Sequence, residues 1–475
     1  MTQLPRIIQG GMGVGVSTWR LANAVSSMGQ LGVVSGTGLD TVFVRRLQDG
    51  DEGGHIRRAA EQFPLPNVTQ DALRRYYLPD GRQGAPYKAL PIYRLRSSAA
   101  RERLTMLASF VEVYLAKEGH AGPVGINLLT KIQLPTLSSL YGAMLAGVDV
   151  VLMGAGIPRD IPAALDALAE HEPASLRFDV EGDGPDVTEL MQLDPRSHWV
   201  GPMPALRRPA FLAIIASSSL AKVLARKASG RVDGFVIEGP TAGGHNAPPR
   251  GEKTFNDRGE PLYGVRDVVD LDKVKELDLP FWLAGGFGAP GRLQEALAAG
   301  AAGIQVGTLF AFCDESGFTA DLKASVLSHA VRGAVEVFTD PLASPTGFPF
   351  KTVRWADDPA KGIERQRVCD LGYLRNAYRT PDGDLGYRCA AEPVDAYVQK
   401  GGSPAETQGR SCLCNALMAG IGLGQVRADG VVEQPLVTTG DDLMQVADLL
   451  AGRSHYSAAD VIDYLRTGDG SASTA

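Results

Sequence analysis

Four short apolar runs in this chain end in clusters of glycine, and one cluster ends in a histidine. They are Gln9-Gly10-Gly11-Met12-Gly13, Glu238-Gly239-Pro240-Thr241-Ala242-Gly243-Gly244-His245, Ala284-Gly285-Gly286-Phe287-Gly288 and Gln305-Val306-Gly307-Thr308. Glycine there lets backbone N–H groups approach a planar ring or a phosphate with no Cβ in the way. Helices that begin just afterwards add unpaired N–H donors and a positive dipole end. A single loop of this kind is explained by a tight turn from strand to helix. Four at one rim favour a phosphorylated ligand.

Of the seven histidines, only His245 follows a predicted strand end directly after a glycine pair. A neutral imidazole there accepts a proton from a carbon acid, and a protonated one donates a hydrogen bond to a substrate oxygen. The alternative is an ordinary loop histidine, which is how His55, His120, His171, His198, His329 and His455 read. Gly286-x-Gly288-x-x-Gly291 also matches the dinucleotide-binding fingerprint. It falls late in the chain, however, and the acidic residues about twenty positions on, Asp314 and Glu315, follow another strand. It reads as a phosphate-binding turn rather than the start of a nucleotide domain.

These loops need a scaffold that brings strand ends together. Strands are predicted at Arg6–Gln9, Gly32–Ser35, Val124–Leu128, Val148–Met153, Phe211–Ala216, Gly234–Ile237, Phe281–Ala284 and Gly303–Val306, with helical patterns between them. Continuous apolar runs suit parallel strands covered on both faces. Eight such pairs predict a closed (β/α)₈ TIM barrel, with an open eight-stranded sheet as the alternative. Ser17 is the expected cap of a helix reaching about Met28, and Pro290 the expected first residue of one reaching Ala299. Ser218–Ala228 carries helical spacing, and the last barrel helix is placed at about Ala320–Val331. The expected division is a barrel over 1–335, with insertions at about 55–118 and 171–206. Residues 336–475 form an extension, partly helical, packed on the barrel. Within it Asp340–Phe350 reads as a linker, Asp441–Ala451 and Ala458–Arg466 as helices, and Gly468–Ala475 as disordered.

A chain of 475 residues, 44% hydrophobic and 21% charged, has the composition of a globular protein able to bury a large core. A net charge of -7 argues against a nucleic-acid surface or a polybasic membrane patch and favours a small-molecule substrate. No apolar run reaches the roughly 18 residues of a membrane span. The first residues lack a signal-peptide layout, so a cytoplasmic location is expected. Five cysteines do not make a disulfide scaffold. Four of them, Cys369, Cys389, Cys412 and Cys414, fall in the extension, where four thiolates would suit a structural zinc. Their spacing is irregular and Cys412-x-Cys414 is tighter than a C-x₂-C pair, so they read as packing thiols and no metal is expected. Arg410 and Asn415 beside them are candidates for contact with a substrate or partner.

Pro5-x-Ile7-Ile8-Gln9-Gly10-Gly11-Met12, Glu238…Ala242-Gly243-Gly244-His245, Ala284-Gly285-Gly286 and Gly303-x-Gln305-x-Gly307-Thr308-x-Phe310 together resemble the nitronate monooxygenase (2-nitropropane dioxygenase-like) family, over roughly Pro5 to Ala330. The resemblance implies an FMN-binding (β/α)₈ barrel. It places Gly10, Gly11 and Met12 along the flavin ring and Asn127 on the flavin or its ribityl chain. Gly243, Gly244 and Ala284 fall near the cofactor, and Gly285, Gly286, Gly307 and Thr308 hold the phosphate. His245 matches the catalytic histidine. The implied activity is oxidation of alkyl nitronates with O₂ to a carbonyl compound and nitrite. The motifs are shared with flavin-dependent enoyl reductases, including trans-acting ones of fatty acid and polyketide synthesis. An NAD(P)H-dependent enoyl thioester or quinone reductase is therefore the alternative, with an acyl carrier protein as partner and Arg57, Arg58, Arg74 and Arg75 as its basic entrance. A flavin-binding scaffold without turnover is a third reading.

Overall fold

The eight predicted strands form one parallel sheet in the computed structural model, which describes residues 4–184, 187–363 and 365–467. They are β1 (Ile7–Gln9), β2 (Gly32–Ser35), β3 (Val124–Leu129), β4 (Val150–Gly154), β5 (Ala210–Ile215), β6 (Gly234–Glu238), β7 (Phe281–Ala284) and β8 (Gly303–Val306). Each pairs with its neighbour in sequence from β2 to β8, and β8 pairs with β1 (Ile7 opposite Ile304, Gln9 opposite Val306). A parallel bridge between Ile8 and Leu31 closes the ring, with Gln9 N donating to Leu31 O at 2.9 Å. This is a (β/α)₈ barrel, and the bridge rules out the open sheet.

Alternation along each strand divides the side chains between two cores. Ile8, Val33, Leu152, Leu212, Val236 and Trp282 point inward and fill the barrel. Ile7, Val34, Ile126, Phe211, Phe235 and Ile304 point outward to the helices. Trp282 is tolerated inside because its indole N–H donates to Pro5 O at 3.0 Å. One step further toward the strand ends, the inward positions turn polar or small: Asn127, Gly154, Glu238, Ala284 and Gln305. A packed barrel thus carries a polar floor at its C-terminal mouth, where working groups sit in this architecture.

Two helix starts differ from expectation. The first helix runs Trp19–Ser27 and is capped by Thr18, not Ser17. Ser17 instead braces the first glycine loop, donating to Gly10 O and accepting from Met12 N, both at 2.9 Å. The helix after β7 runs Arg292–Ala298, so its first residue is Arg292 rather than Pro290, and Gly291 caps it in the left-handed conformation (φ 80°).

The segment read as a linker at Asp340–Phe350 joins two paired antiparallel strands, β9 (Val335–Asp340) and β10 (Phe350–Trp355). Asp441–Ala451 splits into a 3₁₀ turn, Asp441–Gln445, and a short helix, Val446–Leu450, while Ala458–Arg466 is helical. Leu443, Val446, Tyr456 and Leu465 join the outer barrel core, so this part of the chain is packed on the barrel. The insertion between β2 and β3 ends in the long helix Ala99–Ala116, and the one after β4 forms a hairpin of Ala174–Phe178 with Glu189–Leu193. The predicted disordered Gly468–Ala475 lies outside the described residues. Among the described residues no helix is long and apolar enough to cross a membrane.

Candidate active site

A cavity of about 220 Å³ opens over the barrel floor, and every residue expected to touch a cofactor lines it except Gly286. Gly11 is required by close approach: a Cβ there would lie 2.4 Å from the Cβ of Asn127. Asn127 in turn donates to Gly11 O at 2.8 Å, tying the ends of β1 and β3 together. Gly285 is left-handed (φ 83°), and a Cβ on it would lie 3.1 Å from Gly239 O. A side chain at Gly285 would therefore be both strained and crowded.

His245 is held from the far side of the cavity by the extension. Its Nε2 lies 2.7 Å from Ser344 Oγ, and its ring meets Phe350 edge to face at 4.8 Å. Ser344 sits in a loop that Arg410 gathers by donating to Leu342 O and Ser344 O, each at 2.7 Å. Arg410, a candidate for contact with substrate, thus acts as a positioning residue for the histidine's partner. Asn415 is buried on Asp370 at 2.6 Å instead. Burial, with the Lys131 ammonium adding to it, lowers His245 to about 4, so the imidazole is neutral at pH 7.

Glu238 shares the floor. It lines both this cavity and a second one of about 240 Å³ on the other side of His245. Burial raises its carboxyl to about 7. Nothing in its local sequence set it apart from the glycine motif around it; its inward position at the end of β6 does.

The expected phosphate residues have company. Thr439, Gly440 and Asp442 of the extension line the same cavity. Gly440 N donates to Thr308 Oγ1 at 2.8 Å, and Gly288 N donates to Asp442 Oδ2 at 3.1 Å. The fingerprint turn at Gly288 is thus met by a carboxylate from the same chain. The helices that follow are short as well, Arg292–Ala298 and Thr308–Ala311, so their dipoles contribute little. Any anion held here relies on the glycine amides and the Thr308 hydroxyl.

Cys369, Cys389, Cys412 and Cys414 do converge, forming a small apolar cluster behind the cavity, with Cys414 on its wall. Among the described residues no group of three or more His, Cys, Asp or Glu is arranged to hold a metal ion. The four arginines offered as a basic entrance are each paired with an acid: Arg57 with Asp51, Arg58 with Glu118, and Arg74 and Arg75 with Asp71. None lines either cavity.

A (β/α)₈ barrel whose glycine-rich mouth surrounds a half-buried histidine defines the class of protein. The nitronate monooxygenase family model matches residues 200–339, from just before β5 into β9, so that this stretch of the chain is similar to that family. A probable nitronate monooxygenase of Staphylococcus saprophyticus is 29% identical over 155 residues, 32% of this chain and 37% of the relative. A nitronate monooxygenase of Paraburkholderia phytofirmans is 28% identical over 229 residues, 48% of this chain and 56% of the relative. The chain therefore spans about half or less of the curated relatives it matches. The structure of FabK from Thermotoga maritima aligns over 98% of this chain and 93% of its own, with 16% identity and a TM-score of 0.46.

Proposed function

We propose that the chain is an FMN-dependent oxidoreductase that oxidises alkyl nitronates with O₂ to a carbonyl compound and nitrite. The observation that carries this reading is one cavity in which the glycine loops, His245 and two unpartnered buried oxygens meet. Asn127 Oδ1 and Gln305 Oε1 are buried without a hydrogen-bond partner, a costly state unless a ligand donates to them. The ring N–H and ribityl hydroxyls of FMN are such donors, and Gly10 and Gly11 line the cavity beside them. Asn127 and Gln305 would hold the ring or ribityl chain, and Gly285, Gly307 and Thr308 the phosphate, with Gly286 set behind the cavity wall. When bound, FMN supplies the electron-accepting ring. Neutral His245 donates a hydrogen bond toward an anionic nitro oxygen, with its ring fixed by Ser344 and Phe350. Phe350, Leu413 and Met418 exclude water from that face.

The decisive experiment is anaerobic mixing of the purified yellow protein with propyl nitronate and, separately, NADH and NADPH, followed by flavin absorbance. Bleaching by nitronate, with nitrite released in air, is expected. A protein that takes up no FMN would sink the proposal. The apolar wall formed by Val14, Ile132, Leu413, Leu417 and Met418 favours one other reading, reduction of an enoyl thioester or quinone by NAD(P)H, because it accommodates an alkyl chain. Rapid bleaching by a nicotinamide selects it, and an acyl carrier protein then becomes the partner to test.

Asp442 gives a cofactor prediction. Burial raises its carboxyl to about 6, so it is ionised above that pH, beside the expected phosphate residues. FMN affinity should fall as pH rises through about 6, while riboflavin affinity stays level. Asp442→Asn should remove the dependence and tighten FMN roughly tenfold at pH 8. Fluorescence titration with both flavins checks it.

A further inference from the structure

The second cavity, of about 240 Å³, meets the first at Ala155, Ile214, Glu238 and His245. None of the residues expected to hold the cofactor lines it. A substrate that reacts beside His245 can therefore extend into it without displacing the cofactor. Its apolar wall comes from separate parts of the chain: Ile157 after β4, Ile215 at the end of β5, Leu220 on the helix Ser218–Lys227, Pro240 and Pro248 after β6, and Phe348 between β9 and β10.

The polar side chains on this wall are committed in one direction and open in the other. Asn246 is 2% exposed, and its Nδ2 donates to Ala242 O at 3.0 Å. A carbonyl oxygen only accepts, so the amide nitrogen must face it. Asn246 Oδ1 is thereby left buried with no hydrogen-bond partner among the described residues. Tyr263 donates its hydroxyl hydrogen to Ala247 O at 3.1 Å and keeps its oxygen as an acceptor. Arg250 turns its guanidinium to the carbonyls of Arg266 and Ala216. Asp267 accepts from the backbone N–H groups of Arg250 and Gly264, both at 2.8 Å. The wall thus presents acceptors, with two carboxyls, Glu238 and Asp267, beside them. A buried acceptor without a donor costs stability, and a ligand that brings the donor restores it.

We propose that the second cavity holds the far end of the substrate and selects an uncharged apolar chain that ends in an N–H or O–H donor to Asn246 Oδ1. This rests on the oxidoreductase reading of the first cavity and deepens it by naming the substrate class, a chain with an amide or alcohol at its far end. A plain alkyl end leaves Asn246 unsatisfied. A carboxylate end brings a second anion to a wall that already carries two carboxyls and whose arginine is engaged elsewhere. The apolar wall of the first cavity, Val14, Ile132, Leu413, Leu417 and Met418, offers a donor nothing.

Calorimetric titration of the FMN-loaded protein with hexanamide, heptan-2-one and hexanoate tests this. Heptan-2-one has the shape of hexanamide with a methyl group in place of the NH₂. Hexanamide should bind roughly tenfold more tightly than either of the others. Asn246→Leu should abolish its preference over the ketone. Ile157→Trp places a larger side chain at a rim position that is 64% exposed, where the fold tolerates it. It should weaken hexanamide by roughly tenfold as well. If Asn246→Leu does not fold, because it also loses the bond to Ala242 O, Ile157→Trp decides. Equal affinity for amide and ketone, tighter binding of hexanoate, or hexanamide binding untouched by Ile157→Trp would overturn the assignment. The nitronates of 6-nitrohexanamide and 1-nitrohexane are then compared as reductants of the flavin, and the amide should show the lower KM. An enzyme reduced by neither would instead defeat the nitronate reading, while the calorimetric order still decides the role of the second cavity.

Discussion

Replacing Asp40 with alanine should lower stability by about 3–5 kcal/mol, because it strands a buried guanidinium without its counter-charge. Asp40 is 2% exposed and lies 2.6 Å from the Arg101 guanidinium, which is itself 7% exposed. Tyr93 donates to one carboxylate oxygen at 3.0 Å, Tyr373 to the other, and Thr41 N adds a bond at 2.9 Å. Burial works against the charge on Arg101, but Asp40 and the two tyrosines outweigh it and leave the guanidinium above its ordinary value. Burial first, and Asp40 after it, likewise push Tyr93 and Tyr373 well above theirs, so both stay neutral donors. The four residues come from separate regions: the barrel helix Leu39–Gln48, the insertion, its long helix Ala99–Ala116, and the extension.

The comparison that isolates charge from packing is the double variant Asp40→Leu with Arg101→Met. Removing both charges should recover most of the loss, since a buried ion pair is often worth no more than an apolar pair of similar volume. Denaturant midpoints for the two single variants and the double variant measure it. Amide exchange should also quicken around Tyr373 in Asp40→Ala, because the cluster anchors the extension to the barrel. A single variant within about 0.5 kcal/mol of wild type would show that the pair is not buried as described.

The barrel was legible because its signals are local. An apolar run such as Phe281–Ala284 followed by Gly285-Gly286 announces a parallel strand and its turn within six residues, and all eight strands fall within two residues of expectation. Caps were less legible: Ser17 and Thr18 are both good capping residues, and only the competing bonds of Ser17 to the glycine loop decide between them. The far wall of the site was not legible at all. Ser344 meets His245 across 99 residues and Gly440 meets Thr308 across 132, and such docking leaves no periodic trace in either segment. The turn around Ser344 has the Pro and Gly content of any linker. Its role appears only once Phe350 pairs with the backbone of His245. Glu238 was visible as a letter in a motif, but its isolation from every cation is a property of the folded barrel.

Glu238→Gln and His245→Asn should tilt the pH dependence of stability in opposite directions. Glu238 is raised from 4.5 to about 7 by burial. A raised value means its contribution is fully present below pH 4.5 and is lost as pH rises through about 7. His245 is lowered from 6.5 to about 4, by burial and then Lys131. Its contribution is present above pH 6.5 and is lost as pH falls through about 4. Each is worth about 3 kcal/mol at most, since both groups border the cavity rather than the packed core. Between about pH 4.5 and 6.5 the two slopes oppose one another, and the wild-type contribution from this pair stays nearly level. Glu238→Gln leaves only the histidine slope, so relative to wild type its stability should climb with pH across that window. His245→Asn leaves only the carboxyl slope and should decline. Urea midpoints at a series of pH values, with wild type beside both variants, read the difference directly. Parallel curves for wild type and Glu238→Gln would mean that the carboxyl titrates as an ordinary solvated acid, and its burial at the end of β6 would then carry no cost for any function to explain.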